Sequence, residues 1–183
     1  MRLALIVEYE GTDYHGFQYQ ANVSSVQDEL EIAIQRLSGE KVRVKGAGRT
    51  DAGVHASGQV VAFDTKSSLG EQKFVSGLNF YLPEDIGVKA AYVVEEYFHP
   101  RRNALSRKYS YTILNSVVRS PLLRRVVHVI HREMNVTHMQ RGAKLLVGMH
   151  DFGNFTGPLG DQRSSTMGNI FNASVRKEGD IVT

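Results

Sequence analysis

The sequence predicts an α+β protein made of two ferredoxin-like units, with antiparallel sheets forming a central basic cleft and the second unit incomplete. Three observations predict it. Up to Phe98 the strand-like and helix-like patterns follow the order β-α-β-β-α-β, which suits an antiparallel sheet covered by helices on one face. The pattern partly recurs after Arg107. Basic residues gather in pairs, Arg101-Arg102, Arg107-Lys108 and Arg124-Arg125, although the formal net charge is only +3. A chain of 183 residues holds one large or two small domains and can bury a core without disulfides or metals. Here it reads as two, 1–104 and 105–183.

Taken in order, Leu3 to Tyr9 reads as a strand buried on both faces, ending at the turn residues Gly11 and Asp13. Ser24-Ser25-Val26-Gln27-Asp28 carries a capping-box signature, so a helix starts there. Its apolar positions Val26, Leu30, Ile34 and Leu37 line one face, and Gly39 is the expected stop. Burying those four side chains contributes roughly 6 to 12 kcal/mol before chain entropy is subtracted. Val42-Arg43-Val44 alternates as a strand, and β character resumes over Gln59 to Asp64 after a glycine-rich loop between Gly46 and Gly58. Phe74 to Phe80 suits a short helix stopped by Pro83, and Ile86 to Val94 a strand. In the second unit, Tyr109 to Leu114 and Val126 to Ile130 read as strands, and Val136 to Val147 as a helix stopped by Gly148. Residues 151–169 read as a long loop. Ile170 to Val175 and Ile181-Val182 then suggest a hairpin around Glu178-Gly179-Asp180.

Composition removes whole classes of chemistry. With no cysteine, disulfide frameworks, thiolate metal sites, iron–sulfur clusters and cysteine nucleophiles are excluded together. The seven histidines show no metal spacing beyond His128-x-x-His131, whose members would point to opposite faces of a strand, so no metal is expected. The apolar run Leu3 to Val7 is broken by Glu8 and Glu10 and is too short for a signal core or a membrane span. A soluble, cytoplasmic protein is the expectation. Short basic pairs gain phosphate contacts if the partner is nucleic acid, but charge alone leaves the partner open.

Chemistry concentrates in Gly46-Ala47-Gly48-Arg49-Thr50-Asp51-Ala52-Gly53-Val54-His55-Ala56. Glycines permit close backbone approach, Arg49 brings a cation, Asp51 a carboxylate, and Thr50 a hydroxyl for the loop itself. A dinucleotide fingerprint fails, because it requires glycine where Asp51 stands and a helix directly after. A glycine-rich hairpin with a surface ion pair has the same composition. On extended backbone Arg49 and Asp51 project to one side and can share a pocket. Tyr14, Phe17 and Tyr19 interleave with Gln18 and Gln20 in a polar loop that could either stack on nucleotides or pack internally.

The string GRTDAGVHA resembles the catalytic motif of the tRNA pseudouridine synthase A family. The likeness continues in YEGTDYHGFQYQ (Tyr9 to Gln20), SVQDELE (Ser25 to Glu31), LNFYLPEDI (Leu78 to Ile86), FHPRRNALSRKYSYTI (Phe98 to Ile113) and MHDFGNF (Met149 to Phe155), in the family's order and spacing. It implies that Asp51 is the nucleophile or base that lets uracil detach from C1′ and reattach through C5, with no cofactor. It also implies that Arg49 helps displace the target base and keeps the carboxylate ionised. Tyr109 is the implied active-site tyrosine, stacking on the extruded uracil or moving a proton at C5. Tyr111, on the same side, is its structural companion. Arg107 and Lys108 flank the site and suit phosphate contacts. Tyr14, Gln18, His55 and Arg101 are further candidate RNA contacts, with His55 and His99 also candidates for ordering their loops. The implied partners are tRNA, modified on the 3′ side of the anticodon stem-loop, and a second copy of the chain in a homodimer.

Three departures from the family pattern stand out. Phe17 replaces a tryptophan, Pro100 replaces an alanine, and Met167-Gly168-Asn169-Ile170 lacks the basic residue of a T-x-R-type stretch. The family also continues into a NAFL...MVR-type segment whose arginine completes the site, so a C-terminally truncated synthase is expected, with an exposed sheet edge. A catalytically weak RNA-binding fragment is the alternative. An RRM-type module fits less well, because the K/R-G-F/Y signature is missing.

Overall fold

A computed structural model of the chain describes residues 1–155 and 165–183. It divides into two compact units, Met1–Arg107 and Lys108–Thr183. The first contains β1 (Arg2–Tyr9), α1 (Val26–Ser38), β2 (Lys45–Gly46), β3 (Ala56–Asp64), α2 (Glu71–Tyr81) and β4 (Ile86–Val94). The strands form one sheet in the order β2-β3-β1-β4, with every pair antiparallel.

Alternation along β1 sends Leu3, Leu5, Val7 and Tyr9 to one face, where they are buried with Val61 and Phe63 of β3. Val26, Leu30, Ala33 and Ile34 of α1 and Phe74 and Leu78 of α2 close that face, and Phe74 meets Phe63 edge-on with ring centroids 6.0 Å apart. The opposite face is open at Glu8 and only half covered at Ile6, so β1 is not buried on both faces as its apolar run suggested. Two register shifts, between Val7 and Tyr9 against β3 and between Ile6 and Val7 against β4, fall at the end of β1 that pairs with Ala56, where the glycine-rich loop enters β3. Bulges of this kind re-aim side chains beside functional sites, and here they precede Tyr9.

Ser25 caps α1 as expected, accepting from the Asp28 amide at 3.3 Å, and Gly39 ends the helix at φ 75°. The second strand differs from expectation: Val42-Arg43-Val44 lies outside it and β2 is Lys45–Gly46. The reason lies in α1. Glu31 accepts the Val44 amide at 2.9 Å and Gln27 donates to the Val44 carbonyl at 3.2 Å, so helix side chains take the bonds a sheet neighbour would make. β3 begins at Ala56 and α2 at Glu71, each three residues ahead of the sequence reading.

The second unit holds β5 (Ile113–Asn115), β6 (His128–Ile130), α3 (Val136–Leu145), β7 (Gly148–Asp151), a 3-10 turn at Gly153–Phe155, β8 (Met167–Ile170), β9 (Lys177–Glu178) and β10 (Ile181–Val182). One sheet has the order β6-β5-β10-β9 and a second pairs β7 with β8. The expectation of purely antiparallel sheets fails at one place. β5 and β6 are parallel, joined by a crossover long enough for that geometry. The strand expected from Tyr109 is confined to Ile113–Asn115. The expected loop contains the 3-10 turn and is overlapped at its ends by β7, which reaches Asp151, and β8, which starts at Met167, while residues 156–164 lie outside the described residues. The terminal hairpin exists, but its first strand is β9, because Met167–Ile170 pairs with Gly148–Asp151 instead. Gly179, at φ 59° in the first position of its two-residue turn, supplies the positive φ that a tight hairpin needs.

Candidate active site

The loop between β2 and β3 is fixed at its base from three directions. The Ala47 amide donates to the Val60 carbonyl at 2.8 Å, and the Gln59 side chain donates to the Gly48 carbonyl at 2.8 Å. Arg107 donates through Nε and Nη2 to the Ala47 carbonyl at 3.3 and 3.1 Å, and Nη2 also reaches the Arg101 carbonyl at 3.1 Å. The Arg107 guanidinium, expected as a phosphate contact, therefore ties the loop to the turn at residues 98–103. Within that turn His99 Nδ1 accepts from the Arg101 amide at 3.2 Å, the ordering role expected of it.

The upper part of the loop rests on the segment after β1. Tyr9 and Thr50 share a hydroxyl–hydroxyl hydrogen bond of 2.9 Å, the Phe17 amide donates to the Thr50 carbonyl at 3.0 Å, and the Gly53 amide donates to the Tyr14 carbonyl at 3.2 Å. The Gly11 amide donates to His55 Nδ1 at 2.9 Å. Two glycines make this approach possible. A Cβ on Gly11 would stand 2.1 Å from the Val54 carbonyl oxygen, and one on Gly16, at φ 95°, 2.7 Å from the Thr50 oxygen. Phe17 fills the space beside Gly46, where a Cβ would meet its ring at 2.6 Å, and its centroid lies 6.3 Å from that of Tyr9.

Asp51 begins a tight turn closed by the Val54 amide donating to its carbonyl at 3.2 Å, with Gly53 at φ 77° in the third position. Its side chain is exposed, as is that of Arg49. The two form no ion pair with each other among the described residues, so the surface salt bridge considered from composition is not made. The result is a carboxylate and a guanidinium presented on a backbone that is itself locked.

Tyr14 departs from its expected place. It is 6 % exposed, and its hydroxyl donates to Asp85 Oδ1 at 2.7 Å, so its ring belongs to the core and not to a surface open to RNA. Burial, reinforced by the Asp85 carboxylate, pushes its phenol well above the ordinary 10.0. Burial also raises Tyr9, while its bond to Thr50 opposes the shift. Gln18 remains exposed in the same segment. The supporting roles of Gly11, Gly16, Tyr9 and Asp85 were not read from the sequence, although all four lie inside the strings that carried the family likeness.

The family model described as tRNA pseudouridine synthase matches residues 5–101, which contain the whole loop and most of its supports. The chain belongs to the tRNA pseudouridine synthase family. It is similar to the tRNA pseudouridine synthase A of Shewanella amazonensis, 42 % identical over 98 % of this chain and 68 % of that protein. It is similar also to that of Thermoanaerobacter sp. strain X514, 39 % identical over 97 % and 72 %, and to that of Tolumonas auensis, 41 % over 100 % and 69 %. The likeness to these synthases thus extends through the second unit. There Tyr109 is 83 % exposed, outside any strand, next to exposed Lys108, while Tyr111 lies 6.2 Å from the His128 ring. Among the described residues no group of three or more His, Asp or Glu side chains is placed to hold a metal ion, and no helix is long and apolar enough to cross a membrane.

Proposed function

We propose that this chain isomerises uridine to pseudouridine in tRNA, with Asp51 as the catalytic carboxylate. The reaction breaks the bond from C1′ to N1 and makes one from C1′ to C5; the C5 proton leaves and N1 gains one. Atoms and electrons balance without oxidant, water or cofactor. One observation carries the reading: an exposed carboxylate in a GRTDAGVHA loop whose backbone is held at Ala47, Gly48, Thr50, Gly53 and Val54. A group that attacks or deprotonates a base drawn out of its stack needs such fixed placement, because small misplacements cost rate. Arg49, exposed and in no ion pair with Asp51, is the cation assigned to displacing the base, and Tyr109 the ring assigned to stacking on it.

The same reading has tRNA modified on the 3′ side of the anticodon stem-loop by a cytoplasmic homodimer, through two ferredoxin-like units and a basic RNA groove. The β2-β3-β1-β4 order of the first sheet, with both helices on one face, supports the ferredoxin-like assignment there. An isomerisation assay on unmodified tRNA tests the central claim. Asp51→Ala abolishes pseudouridine formation by at least a thousand-fold, on the order expected when a nucleophile or base is removed. Undiminished product from that variant would take Asp51 out of the mechanism.

A further inference from the structure

Directly before the catalytic loop runs Lys41-Val42-Arg43-Val44-Lys45, and its exposure alternates. Val44 is buried and Val42 half-buried, while Lys41, Arg43 and Lys45 are exposed. The register is pinned, since Gln27 and Glu31 hold both backbone groups of Val44. Arg43 is fixed further by Glu31 at 3.2 Å and by its guanidinium carbon lying 5.0 Å from the Tyr19 ring centroid, yet its side chain stays 61 % exposed. Of the carboxylates that share a cavity with Lys41, Glu40 is already occupied by the Thr65 hydroxyl and the Lys66 amide, and Asp64 by Arg2 at 2.9 Å. Three exposed cations thus stand at alternate positions of the segment, at most about 7 Å apart along the backbone, comparable to the step between successive phosphates of an RNA strand.

Resting on the function proposed above, we infer that Lys41, Arg43 and Lys45 form a phosphate rail that holds the RNA strand leading to Asp51. The continuity of Lys45–Gly46 with the loop aims the rail at the site, and the exposed edge of Tyr19 beside Arg43 is the aromatic companion that nucleic-acid surfaces use. An added β-strand from a protein partner suits the segment less well, because the backbone groups of Val44 are already taken by α1.

The test is equilibrium binding of a tRNA transcript across a salt series, using the full chain. The double variant Lys41→Gln/Lys45→Gln binds on the order of ten-fold more weakly at physiological salt, and the slope of log K against log salt shrinks by about 1.5. Lys41→Arg/Lys45→Arg keeps both values, and Lys73→Gln, an exposed lysine on α2, changes neither. Thermal melts matching the parent show that the fold is intact. Unchanged affinity and slope in the Gln variant, while the parent still makes pseudouridine, overturn the rail alone. A parent that binds no tRNA overturns the rail and the function together. Equal binding of polyglutamate by the same residues would mark a general polyanion surface and overturn the RNA assignment.

Discussion

Gly11 and His55 do at single-residue scale what the glycine-rich loop requires, which is to let two backbones touch and then fasten them. A Cβ at Gly11 would stand 2.1 Å from the Val54 carbonyl oxygen, and a backbone atom cannot swing aside as a side-chain tip can. Gly11→Ala therefore moves the loop: stability falls by about 2 to 3 kcal/mol in urea denaturation, and kcat/KM for tRNA falls with it. The His55 interaction makes a sharper separation, because Nδ1 accepts the Gly11 amide at 2.9 Å. An asparagine oxygen stands at nearly the same distance from the backbone as Nδ1. His55→Asn is expected to retain turnover, whereas His55→Ala leaves the Gly11 amide without its acceptor, costs about 1 to 3 kcal/mol, and lowers kcat more than it raises KM. Equal behaviour of the two variants would show that the acceptor is not what positions the loop.

At the scale of elements, what could be read from sequence was what local chemistry determines. The Ser25 cap, the apolar face of α1 and the Gly39 stop all stand where spacing put them. Ser25→Ala should thus cost about 1 kcal/mol by removing the acceptor for the Asp28 amide, measured as a lower midpoint of thermal unfolding. What could not be read depends on partners distant in the chain. Nothing in Val42-Arg43-Val44 says that Gln27 and Glu31 will take its hydrogen bonds, and nothing in Tyr109-Ser110-Tyr111 says that pairing will begin at Ile113. Strands of two to four residues in the second unit bury little beyond Ile113, Leu114 and Val182, so hydrophobic pattern had little to report there. The site followed the same division. Asp51 and its loop were legible as a motif, but the close approach of Gly11 to Val54 is a tertiary contact that no local pattern encodes.

Across the whole molecule, the core that supports the site belongs to the first unit, and two of its phenols, Tyr9 and Tyr14, couple that core to pH. The Tyr14 proton is held by burial and by donation to Asp85, with Glu29 and Asp13 adding negative charge nearby. A phenol raised above its ordinary 10.0 in the folded state contributes stability fully present below pH 10. Above that, the unfolded chain releases its proton while the folded chain keeps it, so stability declines by up to about 1.4 kcal/mol per pH unit as long as the folded Tyr14 phenol stays protonated. Tyr14→Phe removes both the hydrogen bond and the titration. At pH 8 the variant is less stable than the parent by about 1 kcal/mol, the net value of one buried hydrogen bond. At pH 11 that gap closes, because only the parent carries the Tyr14 loss. Urea midpoints for the two proteins at both pH values measure this directly, and a gap of constant size would show that Tyr14 releases its proton as readily folded as unfolded.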